Sequence, residues 1–245
     1  MENAAKNLQK LYSSLGDTRT DVRNRNMYEL VLSLVTGKTL LDIGCGALHF
    51  LQKAKENGMT VEGLEPDEKL VSFGRKLYGN VGKIHSLDIL QLSNIRKKYD
   101  SITMIDVLEH IEDDHRALKE IKRLIAPGGK LIILVPAFQF LYSERDASIG
   151  HFRRYSQSRL QKTLEDSGYT VERIFYWNMI GFLVYGFFEK ILKRRAPHGL
   201  RTKQKSVIGN FFHSLMQLWV RYVENRVNFG FGLSCIAVAI PRANR

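Results

Sequence analysis

A short apolar run that ends in a glycine turn, at residues 40–47, constrains the fold of this chain more than any other segment. The apolar residues around Asp42 are typical of a buried parallel strand. Gly44 and Gly46 then allow the backbone to turn sharply and to approach a ligand before a helix begins. The segment therefore predicts a nucleotide-like binding site at the end of a strand in an α/β protein.

The residues after this turn narrow the choice of ligand. A dinucleotide fingerprint requires a third glycine three places after Gly46, where this chain has His49. This difference disfavours a pyrophosphate and favours S-adenosylmethionine (SAM), whose bound end is an amino acid. Asp42 could pair with its ammonium group.

Length and composition limit the domain organisation. The 245 residues, 44% of them hydrophobic, can bury one sizeable core. The net charge is +12, and residues 189–245 hold eleven basic and only two acidic residues. Cys45 and Cys235 show no metal or disulfide spacing, and the polar N-terminus lacks a signal sequence, so we expect a cytoplasmic protein.

Strand-like apolar runs alternate with helical patterns along the chain, which predicts a parallel sheet wound with crossover helices. The strand-like runs lie at residues 39–43, 60–64, 101–105, 130–135, 171–176 and 233–240. Helical spacing covers residues 67–77 and 113–125, and Ala-Pro-Gly-Gly at residues 126–129 predicts the end of the second helix.

Two acidic residues after later strands extend the predicted cofactor site. Glu65 lies 21 places after Gly44, where a carboxylate can accept hydrogen bonds from two ribose hydroxyls. The alternative is a helix N-terminal charge or cap. Asp88 could accept a hydrogen bond from an adenine amino group, with Ile89 packing the ring; alternatively, Asp88 is a surface loop acid.

The motifs Asp-Ile-Gly-Cys-Gly at residues 42–46, Asp-Val-Leu-Glu-His at 106–110 and Pro-Gly-Gly at 127–129 resemble those of the class I SAM-dependent methyltransferases. The similarity is to their type 11/23-like small-molecule branch and covers residues 39–135. It implies a doubly wound seven-stranded sheet with an antiparallel last strand. Leu48 departs from the small residue that many members have. The cofactor-binding residues that the resemblance implies are Asp42, Gly44, Cys45, Gly46, Glu65, Pro66, Asp88, Ile89, Ile105 and Asp106.

A narrower resemblance covers residues 142–155 and is to bacterial and archaeal methyltransferases associated with glycan or lipid assembly. We expect this loop at the carboxyl edge of the sheet, where ligands of open α/β folds bind. The predicted catalytic residues are His110, His151 and Tyr155, and the predicted substrate-binding residues are Glu144, Arg153 and Arg154. Histidine has a suitable pKa for a general base, although His110 could instead pack under the cofactor.

A metal site is an alternative for Asp106, Glu109 and His110, because ubiquinone-pathway O-methyltransferases resemble this segment and some use such a cluster for a divalent ion. The same motif is common in metal-free relatives. We therefore favour a structural or cofactor-contact role and predict no metal.

The C-terminal region predicts an inserted element of apolar and basic helices at residues 177–227. The SAM-binding domain would comprise residues 1–176 and 228–245, with N-terminal helices in residues 1–36. The apolar run at residues 177–188 is too short to span a bilayer. With the basic stretch at residues 190–205, it predicts a lid, a homodimer interface or a contact with an anionic membrane surface.

These features together predict methyl transfer from SAM to an amphiphilic small molecule, lipid-linked or phosphorylated. Alternatives are a ubiquinone-type O-methyltransferase, a nucleic-acid methyltransferase and a non-catalytic SAM-binding protein. Nucleic acid is disfavoured because the fourth strand lacks the Asn/Asp-Pro-Pro-aromatic segment of base-amino methyltransferases.

Overall fold

The computed structural model describes residues 22–191, 214–215 and 218–243. Its centre is a seven-stranded sheet with the order β3-β2-β1-β4-β5-β7-β6. The strands are β1 (Thr39–Ile43), β2 (Thr60–Leu64), β3 (Lys83–His85), β4 (Tyr99–Ile105), β5 (Ile125–Pro136), β6 (Tyr169–Trp177) and β7 (Ser234–Pro241). Strand β7 is antiparallel to both of its neighbours, and the other pairings are parallel. The predicted doubly wound fold is confirmed.

Helices cover both faces of this sheet. They are α1 (Val22–Leu34), α2 (His49–Glu56), α3 (Glu68–Tyr78), α4 (Asp114–Lys122), α5 (Glu144–Ser148), α6 (Gln157–Asp166) and α7 (Met179–Tyr185). Single turns of 3-10 helix lie at Leu108–His110 and Gln139–Leu141, and the segments Gly186–Ile191 and Val220–Glu224 have π-helical geometry. No helix in the described part of the chain is long and apolar enough to cross a membrane.

The alternating side chains of the central strands build two apolar cores, one on each face. Leu41 and Ile43 of β1 contribute to one core, whereas Leu40 contributes to the other. This division follows from the period of two in a strand. The middle of β5, from residue 131 to 135, is almost completely buried, as expected for a strand covered by helices on both sides.

The start of β5 corrects one sequence prediction. Helix α4 ends at Lys122 rather than at residue 125, and Ile125 already pairs with Tyr99 of β4. Burial of Ile125 against the core favours the strand. The predicted turn at residues 126–129 lies within β5, where the register with β4 shifts between Tyr99 and Ser101.

Other predicted boundaries agree within a few residues. The Ser156 hydroxyl caps α6 by accepting a hydrogen bond from the Arg159 backbone N–H. The first 21 residues and residues 192–213 lie outside the described residues. The latter contain most of the basic stretch at residues 190–205 and part of the predicted inserted element at residues 177–227. The domain boundaries therefore stay predictions.

Candidate functional site

The carboxyl ends of β1, β2, β4 and β5 meet at one edge of the sheet, because these strands run parallel. The segments that follow them carry most of the predicted site residues. This is the edge at which open α/β sheets bind ligands.

The glycine turn after β1 is tightly packed. Gly44 has a φ of 71°, and a Cβ at this position would lie 2.4 Å from Cγ2 of Val107. The backbone N–H groups of Gly44 and Cys45 donate to the Leu64 carbonyl at 2.8 and 3.1 Å. The turn is therefore fixed between the ends of β2 and β4. Only a residue without a side chain fits at position 44.

Leu48 completes the turn in an unusual way. It adopts a left-handed conformation with a φ of 63°, which is uncommon for a residue with a side chain, and it is fully buried. Space for it comes from Gly74 of α3, where a Cβ would lie 2.7 Å from Cγ of Leu48 and 2.6 Å from the Ala47 carbonyl oxygen. The role of Gly74 was not predicted from sequence. A glycine inside a helical pattern was the signal that could have indicated close packing there.

Two buried carboxylates flank the glycine turn. Asp42 is 3% exposed and accepts a hydrogen bond of 2.6 Å from the Thr103 hydroxyl. Burial, reinforced by the negative charge of Glu65, raises the pKa of Asp42 to about 7 despite the bond from Thr103. Glu65 accepts 2.9 Å hydrogen bonds from the backbone N–H groups of Gly46 and Asp67, and burial raises its pKa. Burial thus makes both carboxylates costly to ionise.

This donor set fits SAM. An ammonium group near Asp42 would supply the positive charge that the buried carboxylate lacks. Each Glu65 oxygen accepts one backbone hydrogen bond and retains capacity for a ribose hydroxyl. Cys45 is a buried free thiol whose pKa is raised by burial, which suits a packing role beside the ligand.

The remaining predicted cofactor residues lie along the same edge. Pro66 and Asp88 are exposed, and Ile89 is half-buried and packs against the core. Ile105 is half-buried at the end of β4. The exposure of Asp88 is compatible with either an adenine contact or a surface acid.

Asp106 follows β4 in a strained conformation. Its φ is 54°, and one carboxylate oxygen accepts a hydrogen bond of 3.2 Å from the Arg23 guanidinium of α1. Such conformations persist where the surrounding structure enforces them, and they cluster at functional sites. The contact brings α1 to the cofactor edge. The contact of Arg23 with Asp106 was not predicted from sequence, because no local pattern connects the two residues.

A cluster of one acid and two histidines lies beside Asp106. Glu109 is completely buried, and neither of its carboxylate oxygens has a hydrogen-bond partner among the residues that the structure describes. Burial and the charge of Asp106 raise the pKa of Glu109 well above its usual value. The rings of His110 and His151 meet edge to face with 4.6 Å between centroids. Burial, with a contribution from His151, lowers the pKa of His110 to about 4.

Glu109, His110 and His151 bring one potential ligand atom each within 4.8 Å of one another. This donor set could accept a divalent cation. It differs from the set considered from sequence, because His151 rather than Asp106 completes it.

His151 is anchored by an acidic residue that the sequence analysis missed. Asp146 of α5 lies 2.9 Å from Nδ1 of His151 and receives two hydrogen bonds of 2.9 Å from the Arg154 guanidinium. These contacts lower the pKa of Asp146 despite its burial. Arg154 is 5% exposed, so its guanidinium is engaged inside the protein. The predicted substrate-binding role of Arg154 stays a prediction.

Tyr155 and Arg153 share a second acidic partner, Asp114. The Tyr155 hydroxyl donates to Asp114 at 2.8 Å and is completely buried, and burial raises its pKa. Arg153 contacts Asp114 at 2.8 Å and donates to the Glu112 carbonyl at 2.7 Å. The Tyr155 hydroxyl is therefore engaged inside the protein, and its predicted catalytic role stays a prediction. Glu144 is exposed on the first turn of α5.

An aromatic patch lies beyond these polar residues at the same edge. Phe138 stacks on Tyr176 with 4.5 Å between ring centroids and also contacts Phe140 and Phe182. Phe182 of α7 contacts Phe231 in turn. We call Phe138, Phe140, Tyr176, Phe182 and Phe231 the aromatic patch. Phe140 is 64% exposed, so the patch is accessible.

Comparison with known proteins agrees with this geometry. A family model described as a methyltransferase domain matches residues 18–174. A ubiquinone biosynthesis O-methyltransferase of Coxiella burnetii is 32% identical over 102 residues, which cover 39% of this chain and 42% of that protein. A probable S-adenosylmethionine-dependent methyltransferase of Mycolicibacterium smegmatis is 26% identical over 152 residues, with 61% and 59% coverage. The chain thus spans about half the length of these curated relatives.

Solved structures share the fold at low identity. A SAM-dependent methyltransferase of Thermotoga maritima, described as a possible histamine N-methyltransferase, has a TM-score of 0.62 at 17% identity and covers 99% of this chain and 100% of its own. A putative methyltransferase of Haloferax volcanii, in complex with a methyltransferase activator, has a TM-score of 0.63 at 17% identity, with 91% coverage of both chains. The family model covers more than half of the sequence. The chain therefore belongs to this methyltransferase domain family, which is part of the class I SAM-dependent methyltransferases.

Proposed function

We propose that this protein transfers the methyl group of SAM to an oxygen or nitrogen atom of an amphiphilic small molecule. The observation that carries the proposal is the accessible aromatic patch, which lies at the same sheet edge as the glycine turn and the histidine pair. A polar reactive group would approach the histidines while an apolar body packs on the patch.

Bound SAM supplies a methyl group on a positively charged sulfur. The protein has to align the acceptor with that methyl group, exclude water and accept a proton where the acceptor carries one. The lowered pKa of His110 keeps its ring neutral at pH 7 but makes it a weaker proton acceptor than an ordinary histidine. His151, whose ring contacts that of His110, is the second candidate base.

The apolar part of the acceptor has a defined place in this proposal. Aromatic side chains are well suited to bind an apolar or ring-containing group, because each offers a large apolar surface. Leu183 of α7, 54% exposed, and Phe187, 48% exposed, extend the apolar surface along the chain. These exposed residues also support contact of this region with an anionic membrane surface, where an amphiphile would be found.

The charged residues favour a lipid-linked acceptor over a phosphorylated one. Arg154 is buried against Asp146, and Arg153 is paired with Asp114. A phosphate would have to compete with these carboxylates for both guanidinium groups. The Coxiella relative is named as an O-methyltransferase of ubiquinone biosynthesis, which makes an acceptor of that kind a related candidate.

Transfer of a labelled methyl group tests the proposal. The protein is incubated with methyl-tritiated SAM and a panel of hydroxylated and amine amphiphiles, their short-chain water-soluble analogues, RNA and DNA. We expect label in the amphiphiles and little in the short-chain analogues. Labelled nucleic acid, or SAM binding without product from any acceptor, would support the rival functions instead.

A matched pair of substitutions connects turnover to the aromatic patch. Phe140→Ser should raise the KM for the amphiphile about fivefold, the equivalent of about 1 kcal/mol of lost apolar contact. Phe73→Ser, on α3 far along the sheet, is the control, because Phe73 is likewise exposed at 42%. Equal effects of both substitutions would contradict the proposed binding surface.

Membrane contact is tested separately by flotation with vesicles of phosphatidylglycerol and phosphatidylcholine at low and high salt. We expect binding to the anionic vesicles at low salt, which increasing salt weakens. Absence of binding at low salt would remove membrane contact, and size-exclusion chromatography with light scattering would then test the homodimer alternative.

A further inference from the structure

The proton on the His151 ring has a defined position. The Nδ1 atom lies 2.9 Å from an Asp146 oxygen that also accepts a hydrogen bond from the Arg154 guanidinium. Two nitrogen atoms of the Arg154 guanidinium each donate a hydrogen bond to one Asp146 oxygen, and this pairing keeps the carboxylate ionised. An ionised carboxylate can only accept hydrogen bonds. Nδ1 of His151 must therefore carry a proton and donate it to Asp146.

The other ring nitrogen faces the acid and histidine cluster. Nε2 of His151 lies 3.8 Å from Oε1 of Glu109, and the ring meets that of His110. In the neutral ring Nε2 carries a lone pair, because the single ring proton is on Nδ1. This lone pair is what a proton acceptor requires.

Backbone contacts hold the same residue in place. The His151 N–H donates to the Asp146 carbonyl at 2.9 Å, and the Tyr142 hydroxyl donates to the His151 carbonyl at 2.7 Å. Asp146 additionally accepts from the backbone N–H of Ser143 at 2.9 Å. Two hydrogen bonds thus hold the His151 backbone, the bond to Asp146 holds its ring, and bonds from Ser143, Arg154 and His151 hold the Asp146 carboxylate.

A tyrosine on α7 connects this arrangement to the aromatic patch. The Arg154 guanidinium donates to the Tyr185 hydroxyl at 3.2 Å, and the same hydroxyl lies 3.1 Å from that of Ser143. Phe182, three residues earlier on α7, contacts Phe138 and Phe140. One short helix thus contributes to the surface for the acceptor body and to the support of His151.

We propose that Asp146 is a positioning residue that holds His151 as the Nδ1–H tautomer with Nε2 toward the acceptor, and that Tyr185 supports Asp146 through Arg154. The part that concerns the acceptor rests on the proposed methyl transfer. During transfer from an acceptor O–H or N–H, a new carbon bond forms to oxygen or nitrogen, the bond from carbon to sulfur breaks, and the acceptor proton moves to Nε2. The leaving thioether is neutral, and the imidazolium passes its proton to solvent afterwards.

The tautomer can be measured without turnover. Long-range ¹H–¹⁵N spectra of histidine-labelled protein are recorded at pH 7.5 with S-adenosylhomocysteine and EDTA, and His151 is assigned from the spectrum of His151→Gln. We expect a protonated Nδ1 and an unprotonated Nε2. A proton on Nε2 of neutral His151 would overturn the proposal, whether or not an acceptor has been found.

Substitutions then test the positioning effect. Asp146→Asn should lower kcat by about 10- to 100-fold, which is part of the rate enhancement that a correctly positioned general base provides. The Kd of S-adenosylhomocysteine should stay within about twofold of the wild-type value. Tyr185→Phe removes one hydroxyl and should lower kcat by less, about threefold to tenfold, with the KM for the acceptor less affected than kcat. Asp166→Asn is the control, because Asp166 is exposed on α6 and pairs there with Lys162.

The outcomes separate positioning from general loss of structure. A folded Asp146→Asn protein with unchanged kcat would refute the proposal. If Asp146→Asn fails to fold, the kcat of Tyr185→Phe and the tautomer of His151 in the wild type test the proposal instead. Absence of turnover by the wild type would contradict the proposed function, whereas the tautomer would still test the role of Asp146.

Discussion

Replacement of Asp42 by asparagine should increase the stability of the ligand-free protein at alkaline pH and weaken its hold on the cofactor. Asparagine has nearly the same shape and can still accept the hydrogen bond from Thr103. It lacks the negative charge that burial beside Glu65 makes unfavourable. The substitution therefore separates the effect of the carboxylate on protein stability from its effect on cofactor binding.

The raised pKa of Asp42 gives the size and sign of the effect. The pKa rises from 3.8 to about 7 on folding, so the folded state holds the proton more tightly. Its contribution to stability is present below pH 4 and is lost as the pH rises through 7. Three pKa units correspond to a ceiling of about 4 kcal/mol. We expect about half of this for Asp42→Asn at pH 8, a gain in Tm of about 4–8 °C, and a gain about two fifths as large at pH 5, where the unfolded carboxyl is already ionised and the folded one is not.

Differential scanning fluorimetry from pH 5 to 8, with and without S-adenosylhomocysteine, measures both effects. The ligand should stabilise the wild type, whereas Asp42→Asn should bind it at least about tenfold more weakly, because a charged hydrogen bond is lost. Asp166→Asn, an exposed position, should show neither effect. A variant that is less stable than the wild type at pH 8, or that keeps full ligand affinity, would refute the reasoning.

Three further substitutions test other contacts. Gly74→Ala should lower the free energy of unfolding by about 1–3 kcal/mol through the clash with Leu48, and Leu48→Gly should reverse part of this loss in the double variant; additive losses would contradict the packing explanation. Tyr155→Phe should cost about 1–2 kcal/mol in urea unfolding but leave kcat within twofold, and a large fall in kcat would support a catalytic role. Glu109→Gln should raise the Tm at pH 8 more than at pH 5, because the wild-type carboxyl ionises more readily in the unfolded chain than in its buried site, which offers no hydrogen-bond partner among the described residues. An equal change at both pH values would count against that cost.

The sheet and the cofactor turn could be predicted from sequence because their signals are local. Apolar runs between turn residues identify strands that are buried on both faces, and Asp42 with its two glycines identifies the turn. The start of β5 could not be placed in this way. The pairing of Ile125 with Tyr99 depends on burial against a distant strand, which overrides the local signal of the proline and glycines.

The support of the histidine pair also required the structure. Arg154 and Tyr155 have the residue types of a substrate site, and nothing in their spacing shows that Asp146 and Asp114 satisfy them inside the protein. The same holds for Arg23, which reaches Asp106 from a helix that is 83 residues away in sequence. Polar contacts between distant segments are set by the tertiary fold, so sequence patterns predict the residue types of such a site better than their partners.

We expect the carboxyl edge of the sheet, around Asp42 and Glu65, to hold SAM with its methyl group toward His110 and His151. A crystal structure of the protein with S-adenosylhomocysteine tests this most directly. We expect the ligand ammonium within hydrogen-bond distance of Asp42, the ribose hydroxyls on Glu65, and the sulfur facing the two histidines. A ligand bound elsewhere, or one whose sulfur faces away from the histidines and the aromatic patch, would contradict the account.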